Sequence, residues 1–174
     1  AVFADHRANM DAAWKSVTIE ELLAHRGGAP QNLDADGLWL RLWNAKGTPV
    51  EQRRMLVDGV LQRPPAAAPG TKFEYSNAGV AIAASMVEKI AAVDWESSLR
   101  ERLFVPLGMD SAGFGAPGTR DHVDEPRGHT RRGDPVEIGP GDDNPAAISP
   151  AGKVHASIGD WAKYVAFHLD ALAG

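Results

Sequence analysis

Tyr75 and Asn77 are the side chains of this sequence whose types and spacing best suit chemistry. They flank Ser76 in the stretch from Pro69 to Gly79, where a proline-containing turn runs into a long apolar helix. A segment that enters a helix is expected to be extended, so Tyr75 and Asn77 should point to one side and Ser76 to the other. Either Ser76 or Asn77 can cap the helix that begins there. A phenol can transfer a proton, and a carboxamide beside it can bind a carbonyl group.

The elements that must position this triplet are mostly helices. Thr18 and Glu21 have the spacing of a capping box, which predicts a short helix that ends at Gly27-Gly28. Pro49 is suited to the start of a helix that Pro64-Pro65 stops. Capping residues and apolar spacing predict four more helices. Two of them span Asp34 to Asn44 and Asn77 to Val93. The third is capped by Asp94 and ended by Pro106 and Gly108, and the last is capped by Ser157 and carries Trp161, Val165 and Leu169.

Residues 111–148 interrupt this helical pattern. They are rich in Gly, Pro and Asp and predict a long loop. Within it, 128–132 and 135–138 fit a short β-hairpin that turns at Gly133-Asp134. A loop of this length is usually functional or dependent on outside support. The predicted organisation is a single helical domain over 1–174 that carries this loop.

The composition limits the classes of function. The net charge of -5 argues against nucleic-acid binding, which favours a basic face. No apolar run approaches the roughly 20 residues of a membrane span, so we predict no membrane-spanning helix. The chain has no Cys, which excludes disulfides and thiolate chemistry but leaves the cellular compartment undecided.

The histidines do not indicate a metal site. His122 and His129 flank acidic residues, but their spacing is not that of a metal-binding motif. His25 falls late in the first predicted helix, where a structural histidine is expected. We therefore predict no metal and no cofactor.

Four segments of the sequence, in order, carry a resemblance to a known family. They are Val17 to Gly28, similar to a Thr-x-x-x-Leu-Leu-x-His segment; Pro69 to Asn77, similar to a Pro-Gly…Tyr-Ser-Asn segment; Phe104 to Met109, similar to a Pro-Leu-Gly-Met turn; and Ser149 to Gly152 leading to Trp161, similar to a later helix entry. The chain resembles the serine β-lactamase, penicillin-binding protein and esterase superfamily, and most closely its class C branch.

The resemblance implies a function and two site residues. The family hydrolyses β-lactams, D-amino peptides or esters through an acyl-enzyme. By resemblance, Tyr75 is the catalytic proton shuttle and Asn77 binds the substrate carbonyl. The implied fold is the helical portion of the β-lactamase/transpeptidase-like fold, mainly α, with most of the parent sheet missing.

Two other elements of the family's active site are not found in this sequence. No serine is followed by a lysine three positions later, Lys-Thr-Gly does not occur, and the stretch from Arg127 to Arg131 contains no His-x-Gly; the triplet His25-Arg26-Gly27 belongs to the first of the four segments. The family places these elements before and after the segments present here. The chain therefore resembles an internal fragment of a larger serine hydrolase, and alone we expect it to be inactive.

A second interpretation stays open, in which the chain is a non-catalytic helical module for binding or assembly. In either case, a helical portion without its sheet is expected to expose apolar surface. We predict that the helices carrying Trp39, Trp43 and Trp161 hold this surface, and that the chain self-associates through it or binds a partner that supplies the missing parts.

Overall fold

The computed structural model describes residue 3 and residues 9–119, 124–137 and 143–174. The fold is mainly helical, as predicted, and its described residues form one two-stranded sheet. The chain divides into two compact units, Ala1–Trp95 with Pro145–Gly152 and Glu96–Asn144 with Lys153–Gly174.

The first unit contains the helices that surround the Tyr75 segment. They are α1 (Ile19–Leu23), α2 (Leu38–Trp43), α3 (Pro49–Leu61), α4 (Asn77–Ala91) and α7 (Ser149–Gly152), with 3-10 turns at Ala12–Ser16, Ala35–Gly37 and Ala146–Ile148. Their buried face forms one apolar core, in which Leu56 and Ala81 are fully enclosed.

Helix α1 begins as predicted and ends earlier than predicted. The Thr18 hydroxyl accepts from the Glu21 amide and the Glu21 carboxylate accepts from the Thr18 amide, so the capping box is present. The helix stops at Leu23, because His25 has left-handed backbone angles with a φ of 57°. The expectation that His25 lies within this helix was therefore wrong.

Helices α3 and α4 are joined by a buried ion pair. The Arg53 guanidinium is fully enclosed and donates from Nε to both carboxylate oxygens of Glu88, at 3.1 and 3.2 Å. Glu88 also accepts from the Trp95 amide, and Arg53 Nη1 donates to the Ala146 carbonyl at 3.4 Å. Because both charges are paired and hydrogen-bonded, the core tolerates them.

Helix α2 departs from its predicted start. The helical pattern from Asp34 is broken by positive φ angles at Asp36 and Gly37, and the α-helix begins only at Leu38. Its two tryptophans also differ, since Trp39 packs against the core while Trp43 is 43% exposed.

The second unit is built from one interrupted helix and a long terminal one. Its elements are α5 (Trp95–Leu99), whose first residue belongs to the first unit, a π-helical turn (Arg100–Phe104), α6 (Val105–Leu107), β1 (Gly113–Phe114), β2 (Val154–His155) and α8 (Ile158–Ala173). Pro106 does not end the helix, contrary to expectation, because proline is tolerated in a first helical turn. The turn ends at Gly108, which has a φ of 62°.

Strands β1 and β2 pair antiparallel and were not predicted. Gly113 lies opposite His155, and Phe114 lies opposite Val154. The predicted hairpin is found in its described part, where His129 and Pro135 form a bridge and the Gly133 amide donates to the Thr130 carbonyl at 2.9 Å. The end of its second strand, at residue 138, lies outside the described residues.

Helix α8 is anchored at its first turn. Ser157 caps it, as predicted, and Asp160 accepts from both the amide and the hydroxyl of Ser111, at 2.7 and 2.6 Å. Lys163 also donates to Asp160, at 2.7 Å. These donors hold the pKa of Asp160 at about 2, Lys163 contributing most and Ser111 next. None of the described helices combines the length and the apolar character needed to cross a membrane.

Candidate active site

The Tyr75 segment is held in place by backbone hydrogen bonds to the residues that follow α1. The amides of Ala66, Gly70 and Glu74 donate to the carbonyls of Gly28, Arg26 and His25 at 2.8, 2.9 and 2.7 Å. The segment that leads into α4 therefore runs beside residues 25–28, and its direction is fixed before the helix begins.

Gly28 makes this close approach of the two segments possible. Its φ is 75°, and a Cβ atom built there would lie 2.3 Å from the Ala67 carbonyl oxygen. Glycine is the residue that combines left-handed angles with the absence of a side chain. A larger residue at this position would displace the segment that carries Tyr75.

Tyr75 and Asn77 point to the same side and touch. The Tyr75 hydroxyl donates to Asn77 Oδ1 at 2.9 Å, and both side chains are exposed. Ser76, between them, is 1% exposed and points inward. This is the arrangement that alternation along an extended segment predicts. Because the oxygen of the Asn77 amide faces the phenol, its NH₂ group is left to donate to a ligand.

The hydroxyl of Ser76 makes two structural hydrogen bonds. It donates to the Pro30 carbonyl at 2.6 Å and accepts from the Gly79 amide at 3.1 Å. Ser76, and not Asn77, is therefore the cap of α4. A buried hydroxyl with both bonds made is poorly placed for nucleophilic attack, although it lies next to Tyr75 in sequence.

His25 supports the Tyr75 ring, a role that sequence reasoning missed. Its ring centroid lies 4.6 Å from that of Tyr75 and 5.7 Å from that of Phe73. Its Nδ1 accepts from the Ser76 amide at 3.2 Å. The expectation of a structural histidine holds, but only the tertiary structure reveals that what it supports is Tyr75.

A pocket of about 240 Å³ opens beside Asn77. Its lining comes from the segment after α1 and from the starts of α2 and α4, and includes Gln31, Asn32, Asp34, Trp39, Asn77 and Ile148. Three amide side chains and one carboxylate line the pocket on one hand, and four apolar residues, Trp39 among them, line it on the other. Pockets that fix small ligands combine apolar surface with a few polar groups. This pocket therefore gives the Asn77 amide a cavity in which to meet a ligand.

The nearest lysine in sequence does not turn towards the phenol. Lys72 Nζ instead forms an ion pair with the Glu74 carboxylate at 3.0 Å. Over the described ranges, no group of three or more His, Cys, Asp or Glu side chains has the arrangement of a metal site. His122 lies outside those ranges, and His129 lies in the hairpin.

Comparison with known proteins decides the family. The sequence model of the family described as Beta-lactamase matches residues 7–174. The chain belongs to the beta-lactamase family. Among its curated relatives, penicillin-binding protein 4 of Amycolatopsis lactamdurans is 27% identical to it over 157 residues, which are 90% of this chain and 39% of that protein.

Solved structures of other proteins share the fold of this chain. D-alanine carboxypeptidase AmpC from Burkholderia cenocepacia matches with a TM-score of 0.65 and 21% identity, over 94% of this chain and 39% of that one. A class C beta-lactamase in complex with cefoxitin matches with a TM-score of 0.65 and 20% identity, over 93% of this chain and 41% of that one. The present chain thus spans about two fifths of the length of each of these three proteins.

Proposed function

We propose that this chain carries the proton-transfer and carbonyl-binding element of a serine hydrolase that works through an acyl-enzyme. The hydrogen bond from Tyr75 to Asn77, on the rim of a polar pocket, is the observation that carries the proposal. Tyr75 is the proposed proton shuttle, and the Asn77 NH₂ group is the proposed donor to the substrate carbonyl.

The chemistry requires partners that these 174 residues do not supply. A serine hydroxyl becomes a nucleophile when a base removes its proton, and a tyrosine, whose phenol ordinarily titrates near ~10, needs positive charge nearby to act as that base. The sequence holds no Ser-x-x-Lys and no Lys-Thr-Gly, and its one His-x-Gly is His25-Arg26-Gly27, whose histidine accepts from the Ser76 amide. We propose that the nucleophile and the lysines come from polypeptide outside this sequence.

The proposed substrates are carbonyl compounds that form an acyl-enzyme, namely β-lactams, D-amino peptides or simple esters. The names of the relatives support the first two classes, since they include a D-alanine carboxypeptidase and a beta-lactamase with bound cefoxitin. A small polar pocket beside Asn77 is compatible with a compact amide or lactam.

Replacement of Tyr75 by Phe tests this proposal. In the full-length protein that contains these residues, Tyr75→Phe should lower kcat by about 10²–10⁴-fold, because a positioned proton-transfer group contributes that much. The substitution keeps the ring that His25 supports. Tyr164→Phe, at the other tyrosine of this chain, is the matched control and should leave kcat unchanged. An unchanged kcat in Tyr75→Phe would remove Tyr75 from the mechanism.

A second candidate function is assembly, which the exposure of α8 favours. Ile158, Trp161, Leu169 and Leu172 on this helix are 84, 50, 60 and 85% exposed. Large exposed apolar surfaces mark sites of association. We propose that α8 mediates self-association of the isolated chain, whether or not the complete protein is an enzyme.

A further inference from the structure

His25 is hydrogen-bonded to the backbone on both sides of Tyr75. Its carbonyl accepts from the Glu74 amide at 2.7 Å, and its Nδ1 accepts from the Ser76 amide at 3.2 Å. Because these two amides flank Tyr75 in the chain, a shift of Tyr75 relative to His25 would break at least one of the two bonds. The second bond is the one that depends on the side chain of His25.

The backbone of His25 has the left-handed φ of 57°. Few residues other than glycine adopt such an angle, and His, Asn and Asp are among those that do. Glycine would adopt it without strain but would offer no acceptor to the Ser76 amide. At this position a left-handed backbone is thus combined with a side chain that reaches the segment carrying Tyr75.

The bond from the Ser76 amide determines which nitrogen of the His25 ring carries the proton. A nitrogen that accepts from an N–H group uses its lone pair, so Nδ1 is unprotonated and the neutral ring carries its proton on Nε2. A proton on Nδ1 would place two donors against each other and break this bond. In this arrangement His25 is therefore neutral, and it is not the positive charge that the Tyr75 phenol needs.

The position of the Tyr75 ring is only partly fixed by packing. Its centroid lies 4.6 Å from that of the His25 ring, but the side chain is 51% exposed. The hydroxyl nevertheless donates to Asn77 Oδ1 at 2.9 Å, which requires a defined place for the backbone of the segment. The bond between the Ser76 amide and His25 holds the backbone between Tyr75 and Asn77.

We propose that His25 is a positioning residue for Tyr75, and that it acts through acceptance of the Ser76 amide by Nδ1. The inference rests on the proposed function, since it affects catalysis only where Tyr75 transfers a proton. Misplacing a reacting group by about 1 Å can cost about 10²-fold in rate. Loss of the acceptor should lower kcat more than it raises KM, because the pocket beside Asn77 is lined, in the described part of the chain, by residues other than His25.

Two substitutions that both remove the ring isolate the effect of the acceptor. His25→Asn keeps an acceptor, since Oδ1 of Asn is bonded to Cγ as Nδ1 of His is, whereas His25→Gly has none. Both residues tolerate a left-handed φ, so both variants are expected to fold. In the full-length protein, His25→Gly should lower kcat about 10- to 100-fold and change KM less than about threefold, and His25→Asn should keep kcat within about threefold of the unmodified protein. Equal kcat values in the two variants would overturn the proposal.

NMR of the 174-residue chain tests the same contact without a substrate. With nitrogen-15-labelled histidine at about pH 8, where histidine is mainly neutral, long-range proton–nitrogen spectra should show His25 protonated on Nε2. The Ser76 amide proton should resonate further downfield in His25→Asn than in His25→Gly, because only the first variant accepts from it. A proton on Nδ1, or the same Ser76 shift in both variants, would overturn the proposal. Neither spectrum depends on turnover, so such a failure is distinguished from a failure of the proposed function, which Tyr75→Phe reports.

Discussion

At the scale of single residues, the hydroxyl of Ser76 stabilises the fold. Ser76 lies between two candidate active-site residues, yet its Oγ is bonded to Pro30 and Gly79. Both partners lose a hydrogen bond if the hydroxyl is removed. The effect of that loss should appear in stability, because Ser76 caps the helix that carries Asn77.

Ser76→Ala is therefore expected to lower the free energy of unfolding by about 1–2 kcal/mol, the cost of losing a helix cap. Chemical denaturation of the 174-residue chain measures it. Ser85→Ala, inside α4, is the matched control and should be close to neutral, because alanine is a better helix former than serine. Equal stability of Ser76→Ala and the unmodified chain would contradict the capping role.

The geometry of Tyr75, Ser76 and Asn77 could be predicted from sequence because it is local. Alternation along an extended segment depends on neighbours in the chain. The surroundings of His25 could not be predicted in the same way. His25 has a left-handed φ and its ring contacts that of Tyr75. Both features depend on hydrogen bonds from Glu74 and Ser76, which are about 50 positions away in sequence. The roles of Tyr75 and Asn77 stay predictions.

At the scale of elements, the start of α8 depends on one carboxylate. Asp160 accepts hydrogen bonds from Lys163 and Ser111, which lower its pKa from the ordinary 3.8 to about 2. A lowered pKa in the folded state means that ionised Asp160 stabilises the fold at pH values above about 3.8. That stabilisation is lost as the pH falls from about 3.8 towards 2.

Asp160→Asn should therefore destabilise the chain at pH 7 and flatten the dependence of its stability on pH between 5 and 2. Urea midpoints measured across this range test the prediction. Asp170→Asn, which removes an exposed carboxylate from the same helix, is the control and should keep the acid dependence of the unmodified chain. Identical acid profiles for Asp160→Asn and the unmodified chain would show that the Asp160 contacts contribute no stability.

Prediction from sequence was accurate for elements with strong local signals. The helix from Pro49 to Leu61 carries a cap at Thr48, a proline at its start and prolines after its end, and it was predicted closely. The strands Gly113–Phe114 and Val154–His155 were not predicted, because each has two residues and their pairing joins parts of the chain about 40 positions apart. Two residues are too few for a visible alternation.

At the scale of the whole molecule, the apolar side chains that cover α8 should govern the behaviour of the isolated chain. We expect the 174-residue chain to self-associate at micromolar concentration, as measured by sedimentation velocity. Replacing Leu169 and Leu172 together by Lys should shift it towards monomer, because both leucines are more than half exposed.

Leu23→Lys provides the control for this experiment, since Leu23 on α1 is 54% exposed and lies outside the helices predicted to hold the apolar surface. That substitution should leave the association unchanged. A compact monomer of the unmodified chain, with little binding of a hydrophobic dye, would contradict the proposed assembly.

The most direct test of the central claim is to locate the acyl-enzyme. The claim is that these residues supply Tyr75 and Asn77 to a serine hydrolase whose nucleophile lies outside residues 1–174. The full-length protein and the 174-residue chain are each treated with a penicillin and with a fluorophosphonate, and the adducts are measured by intact mass and peptide mapping. We predict one adduct on the full-length protein, at a serine outside 1–174, and none on the 174-residue chain. An adduct on a serine within 1–174 would contradict the claim.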